Sequence, residues 1–164
     1  MSDISNSLRS RALQYNIGQT VGDGSCWAFV NEALVNAGGR SRMDRPGAAL
    51  YQWGQVVRQR TMVRPGHVIQ FNASSSYSFT PSMGAGTTAS PRTFRTGSVH
   101  SAIVIDVYNQ GKQMRIRHQN FGAATLREMF WYFDTGSYTE DGGRSITVTE
   151  VDYAVTFYRP DTTS

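Results

Sequence analysis

Cysteine and lysine are nearly absent from this chain of 164 residues, which contains one of each, Cys26 and Lys112. A single cysteine excludes an internal disulfide framework. All but one of the 16 basic side chains are arginine, and against 12 acidic side chains they give a net charge of +4. No arginine run is dense enough to indicate a nucleic-acid interface, so no nucleic-acid partner is predicted.

Long apolar runs are also missing, and the N-terminal segment is polar. The sequence therefore predicts no signal peptide, no membrane partner and, by default, a cytoplasmic location, with export by a non-standard route left open. The three histidines are too dispersed for a zinc site. The Gly22-Asp-Gly24 segment is not followed by the lysine of a phosphate-binding loop. No metal and no cofactor are predicted.

The segment from Gly22 to Gly39 predicts a tight loop that leads into a helix. Ser25 is a typical N-cap residue, apolar residues follow at helical spacing, and a glycine pair ends the run. Cys26 therefore lies in the first turn, where free N–H groups and the helix dipole favour a thiolate. The structural alternative is a buried cysteine that acts as a small apolar side chain.

Two strands joined by a turn are predicted from Val99 to Tyr108 and from Gln113 to Asn120. On the second strand His118 and Asn120 share a face with two apolar side chains. His100 and His118 share a face only if the two residue numbers of each cross-strand pair add up to an even total. A slip of one residue gives an odd total and turns every side chain to the other face. The residues leave the register open, and a five-residue loop centred on Asn109 would give the even one.

The other elements complete an α+β domain with a helix packed on an antiparallel sheet of about five strands. Further strands are predicted over His67–Phe71, Ser145–Val151 and Ala154–Tyr158. Four aromatic residues are predicted as core: Trp53, Phe130, Trp131 and Tyr132. The domain covers 18–160, with a polar lead over 1–17 that contains a short helix (Ser7–Tyr15), a long surface loop over 72–97 and a tail over 161–164.

Cysteine hydrolysis requires a thiolate, a base and a polar group that orients the base. Cys26 is the candidate nucleophile, and His100 is the candidate base because it opens a buried strand. His118 or Asn120 on the next strand could orient the imidazole, while Gln119 is a supporting residue that a regular strand turns to the other face. A structural role for a lone strand histidine is the alternative.

Several short motifs, taken in order, resemble the CHAP and NlpC-type branch of papain-fold cysteine amidases and peptidases. The resemblance is closer to the cysteine-proteinase-fold domain of certain fungal actin-patch, myosin-interacting proteins and to its stand-alone relatives. It covers roughly residues 18–160 and rests on these segments: Gly22-Asp-Gly24, Cys26-Trp27, Tyr51-Gln-Trp-Gly54, Arg64–Phe71, His100–Ile105 and His118-Gln-Asn120.

The resemblance implies a papain-like fold with Cys26 as nucleophile, His100 as base and His118 at the third position, where the closest relatives carry a carboxylate. The oxyanion donors would be the Cys26 N–H and groups of the preceding loop, which includes Asp23, Gly24 and Ser25. The function that follows is a cysteine amidase or peptidase acting on peptide or amide substrates, a class that includes peptidoglycan. Acyl transfer by the same residues and a catalytically silent interaction module are the alternatives.

Overall fold

A computed structural model describes residues 3–41, 51–82 and 89–162, so the Pro46-Gly47 pair, which is typical of a turn, lies outside the described residues. Two α-helices begin the chain, α1 (Ser5–Gln14) and α2 (Cys26–Asn36). The predicted cap of α2 is confirmed, because the Ser25 side chain accepts a hydrogen bond from the Ala28 N–H. None of the described helices is long and apolar enough to cross a membrane.

In the described part of the chain, ten strands follow in two antiparallel sheets. The strands are β1 (Gln55–Val57), β2 (Val68–Phe71), β3 (Ser76–Pro81), β4 (Arg92–Arg95), β5 (His100–Tyr108), β6 (Gln113–Gln119), β7 (Leu126–Tyr132), β8 (Gly136–Thr139), β9 (Ser145–Asp152) and β10 (Val155–Arg159). The first sheet has the order β1-β10-β2-β5-β6-β7, and the second has the order β4-β3-β9-β8. The α+β class agrees with the prediction, whereas a single sheet of about five strands does not.

The first sheet is buried on both faces and separates two apolar cores. Both helices pack on one face against Ile103 and Ile105 of β5, which we call the helix face. The second sheet packs on the opposite face, which we call the sandwich face, against Ala102 and Val104. Trp53, Trp131 and Tyr132 are fully buried as predicted, while Phe130 is only half-buried.

The prediction of a long surface loop over 72–97 is wrong for half of the described part of that segment. It contains β3 and β4, which form half of the second sheet. Tyr77 and Phe79 alternate with polar residues along β3, and both are buried in the sandwich core. The segment therefore closes one face of the first sheet.

A bulge in β5 gives His100 and His118 their common face. Next to the turn the strands pair Tyr108 with Gln113, a register with an odd total. The register shifts at Ile105, and beyond it Ala102 pairs with His118, so the register that the sequence left open is even at the histidine end. The five-residue loop that would by itself give the even register is not present, because the turn holds only the four residues 109–112; the bulge shifts the register instead. Without it, His100 and His118 would lie on opposite faces of the sheet.

Candidate active site

The loop before α2 is held by its own side chains. The Asp23 carboxylate accepts hydrogen bonds from the Ser25 N–H (2.9 Å) and hydroxyl. Gly24 has φ +87°, and a Cβ there would lie 3.1 Å from the Cβ of Ala124. A side chain at this position would be strained both by the backbone and by the contact. The loop therefore presents Cys26, which is partly exposed, as the first residue of the helix.

Two of the predicted oxyanion groups are already used inside this loop. The Gly24 N–H donates to the Val21 carbonyl (3.1 Å), and the Ser25 N–H donates to Asp23. The prediction that Gly24 and Ser25 supply donors is therefore wrong for their N–H groups in this arrangement. The Cys26 N–H belongs to the first turn of α2, where N–H groups have no partner inside the helix, so it is the better candidate donor.

Gln119 ties the cysteine loop to the sheet. Its side-chain amide accepts from the Val21 N–H (2.7 Å) and donates to the carbonyl oxygens of Val21 (2.8 Å) and Ser25 (2.9 Å). The side chain is fully buried. As the alternation predicted, it lies on the face opposite His118. Its hydrogen bonds go to the cysteine loop and not to His100, so the prediction that it supports the base is wrong.

Replacing Gln119 with Glu should loosen this loop. A carboxylate can still accept from Val21, but it would face two buried carbonyl oxygens without a proton to donate, at a cost of about 3 kcal/mol in unfolding free energy. Hydrogen exchange of the amides from Val21 to Ser25 should accelerate. The matched control is Gln113→Glu, also buried on β6 but bonded to Tyr132 and Thr139. If both variants leave exchange in the loop unchanged, Gln119 does not hold it.

The two strand histidines form a direct hydrogen bond. His100 Nε2 lies 2.7 Å from His118 Nδ1, and the ring planes are nearly perpendicular. His100 is 3% exposed and His118 is fully buried. The Phe121 ring lies 5.0 Å from the His118 ring and 6.2 Å from the His100 ring, measured between centroids. The pair is therefore shielded from water, which strengthens its hydrogen bond.

Burial keeps both imidazoles neutral at neutral pH. It lowers the pKa of His100 from 6.5 to about 4. The pKa of His118 is lowered well below 6.5, first by burial and then by electrostatic interaction with His100 and Arg127. One ring must therefore donate to the other as a neutral N–H group.

The direction of that hydrogen bond decides whether His100 can act as a base. If His100 Nε2 donates, its Nδ1 carries a free lone pair and can accept a proton from a thiol. If His118 Nδ1 donates instead, His100 is protonated at Nδ1 and has no basic atom free. His118 Nε2 is buried and has no partner among the described residues, so no second contact of that ring selects a tautomer.

The remaining predicted residues do not join the histidine pair. Asn120 lies just after β6 with φ +64° and is exposed, so the prediction that it faces the base is wrong. His67 is buried in the turn before β2, where its Nδ1 accepts from the Arg64 N–H (3.1 Å).

The helix that begins with Cys26 and the side chain of His100 lie on opposite faces of the first sheet. Helix α2 packs on the helix face, whereas His100 lies on the sandwich face with Ala102 and Val104. Among the side chains that the structure describes, none is hydrogen-bonded to the Cys26 sulfur. The connection runs instead through Gln119, which bonds to Ser25 and follows His118 in β6. Catalytic contacts are often long before substrate binds and shorten in the complex.

The comparison with known families agrees with this architecture. A family model described as AIM3/BBC1 Cysteine proteinase-fold domain matches residues 2–129, more than three quarters of the chain. The match includes Cys26, His100 and His118, and it ends within β7. No curated protein and no solved structure matches the chain.

Proposed function

The chain belongs to the AIM3/BBC1 cysteine proteinase-fold domain family, and we propose that it is a cysteine-dependent amidase or peptidase. The hydrogen bond between His100 Nε2 and His118 Nδ1 carries this proposal. Thiol hydrolases require a histidine base with one ring nitrogen hydrogen-bonded to a neighbouring side chain and the other free to accept the thiol proton. The first-turn position of Cys26 supports it.

The proposed reaction requires the Cys26 sulfur to come within hydrogen-bond reach of His100 Nδ1 when substrate binds. The Cys26 thiol then transfers its proton to that nitrogen, and the thiolate sulfur attacks the amide carbonyl carbon. The carbonyl oxygen becomes negative and accepts a hydrogen bond from the Cys26 N–H. His100 then protonates the departing amine as the C–N bond breaks, which leaves a thioester. Water attacks the thioester, His100 takes its proton, and the acid and free thiol are released. His118 accepts from His100 Nε2–H throughout and thereby fixes the base.

Peptide amide bonds are the proposed substrates, and the resemblance to the CHAP and NlpC-type enzymes makes bacterial cell-wall peptides one class to test. Interaction without catalysis is the second candidate. It is favoured by the lack of a hydrogen bond to the Cys26 sulfur among the described residues and by the low pKa of His100, which makes an imidazolium costly.

Labelling with iodoacetamide separates the two functions. An activated Cys26 should be alkylated in the folded protein at about pH 6.5 up to about 100-fold faster than in urea, because an ordinary thiol with a pKa near 8.5 is only about 1% thiolate at that pH. His100→Ala should remove the enhancement. His67→Ala is the matched control, because it also removes a buried histidine from the first-sheet region but should leave the labelling rate unchanged.

Variants of His118 test the direction of the hydrogen bond. His118→Asn retains an oxygen that accepts from His100 and should keep fast labelling, whereas His118→Leu should lose it. Hydrolysis of cell-wall fragments and fluorogenic peptides by the wild type, and not by Cys26→Ala, would then identify the substrate. Slow labelling that is insensitive to His100→Ala would contradict catalysis and support the interaction module.

A further inference from the structure

A cleft of about 370 Å³ opens where edge strands of the two sheets approach each other, β7 of the first and β4 of the second. Its floor is aromatic. The rings of Tyr77, Phe79 and Phe94 contact one another with centroids 5.4–5.7 Å apart. Tyr77 and Phe79 are buried and fixed, while Phe94 on β4 remains partly exposed. The floor is thus a preformed apolar surface of the size that binding sites have.

The rim of the cleft carries four arginines, Arg92, Arg115, Arg127 and Arg144. Arg115 is neutralised, because its guanidinium contacts the carboxylates of Asp141 (2.7 Å) and Asp106 (3.3 Å). Within residues 3–41, 51–82 and 89–162, no carboxylate forms an ion pair with any of the other three. The guanidinium of Arg127 lies over the Phe121 ring (5.3 Å), a contact that keeps its charge.

The carboxylates of the rim are already engaged elsewhere. Glu128 pairs with Arg117 outside the cleft (3.6 Å), and Asp141 pairs with Arg115. Glu140 accepts a hydrogen bond from the Tyr132 hydroxyl (2.6 Å), which holds it toward the protein. Positive charge is therefore in excess at the mouth of the cleft, directly above an apolar floor. A ligand that complements both surfaces carries carboxylates next to aromatic or aliphatic groups.

We propose that this cleft binds an acidic, aromatic-containing peptide segment of a partner protein, and that it does so whether or not Cys26 is catalytic. Strand β4 favours a peptide over a small anion. Arg92 and Phe94 point into the cleft from the same face of β4, and in the described structure β4 pairs only with β3. An extended peptide can hydrogen-bond to that free edge while its alternate side chains reach the floor and the arginines.

The test uses the full chain with Cys26→Ala, so that binding is measured without turnover. The probe is a fluorescein-labelled peptide in which glutamates alternate with phenylalanines, and fluorescence anisotropy reports its affinity. Replacing both Arg92 and Arg144 with Gln should weaken binding about tenfold, because two exposed charge pairs are lost and each contributes roughly threefold in affinity. Both side chains are exposed, so the variant should fold normally.

Arg95→Gln is the matched control, since this exposed arginine lies on the opposite face of β4 from Phe94 and should leave the affinity unchanged. A peptide with glutamine in place of glutamate should bind more weakly, and added salt should weaken the acidic peptide only. The proposal is overturned if the glutamine peptide binds equally well. It is also overturned if inorganic phosphate or ATP binds this cleft while the peptide does not.

Discussion

Acidification should destabilise the folded protein well above the pH at which carboxylates titrate. Burial lowers the pKa of both His67 and His100 from 6.5 to about 4. Between those two values the unfolded chain binds protons that the folded chain does not, so the free energy of unfolding falls as the pH falls through this window. Their full stabilising effect is present above about pH 6.5.

The expected loss is large. By linkage, each of these two histidines removes about 3 kcal/mol of stability on going from neutral pH to about pH 4, and His118 acts in the same direction. A domain is typically stable by about 5–15 kcal/mol, so unfolding at mild acidity is expected. Urea unfolding at several pH values between about 7.5 and 4.5 measures the slope.

Carboxylates change their protonation at lower pH than these histidines affect stability, and they therefore provide an internal reference. The hydrogen bond from Arg115 lowers the pKa of Asp141 below 3.8, so any stabilisation from this group is lost only in stronger acid. The double variant with Gln in place of His67 and His100 should therefore have a much shallower slope above about pH 4.5. An unchanged slope would show that these imidazoles are not neutral in the folded state.

The cysteine helix and the histidine hairpin could be predicted because their signals are local. A capping serine before apolar residues at helical spacing marks α2, and a nearly continuous apolar run marks β5. The second sheet was harder to predict from the sequence. Tyr77 and Phe79 alternate with serine and threonine in β3, and that composition is also typical of loops. Only the tertiary structure shows that these rings cover the sandwich face.

The histidines of the candidate site could be predicted from the sequence, but the bulge and the hydrogen bonds that position the site could not. The common face of His100 and His118 depends on the bulge at Ile105, and no residue type in the sequence indicates a bulge there. The role of Gln119 depends on hydrogen bonds to Val21, 98 positions earlier in the chain. Alternation assigns the face of a side chain, whereas its partner there is determined by how the helices pack on that face.

Replacing Gly66 with Ala should be one of the most damaging single substitutions in the protein. Gly66 has φ +88°, and a Cβ there would lie 1.9 Å from the carbonyl oxygen of Ser5 at the start of α1. Its N–H donates to the Val104 carbonyl (2.8 Å), so the glycine cannot move away without breaking a bond to β5. Strain and overpacking together should cost about 4 kcal/mol in unfolding free energy, measured by urea titration.

Gly38 provides a control with the same backbone angle. Its φ is also +88°, but nothing lies within 4 Å of a Cβ at that position. Gly38→Ala should therefore cost only the left-handed strain of about 1 kcal/mol. The difference between the variants isolates the contact with α1, which carries the fully buried Leu8 and, at Ala12, a carbonyl that accepts from Arg117. Equal losses would mean that α1 shifts freely, and that its packing against the turn before β2 does not stabilise the sheet on which His100 and His118 meet.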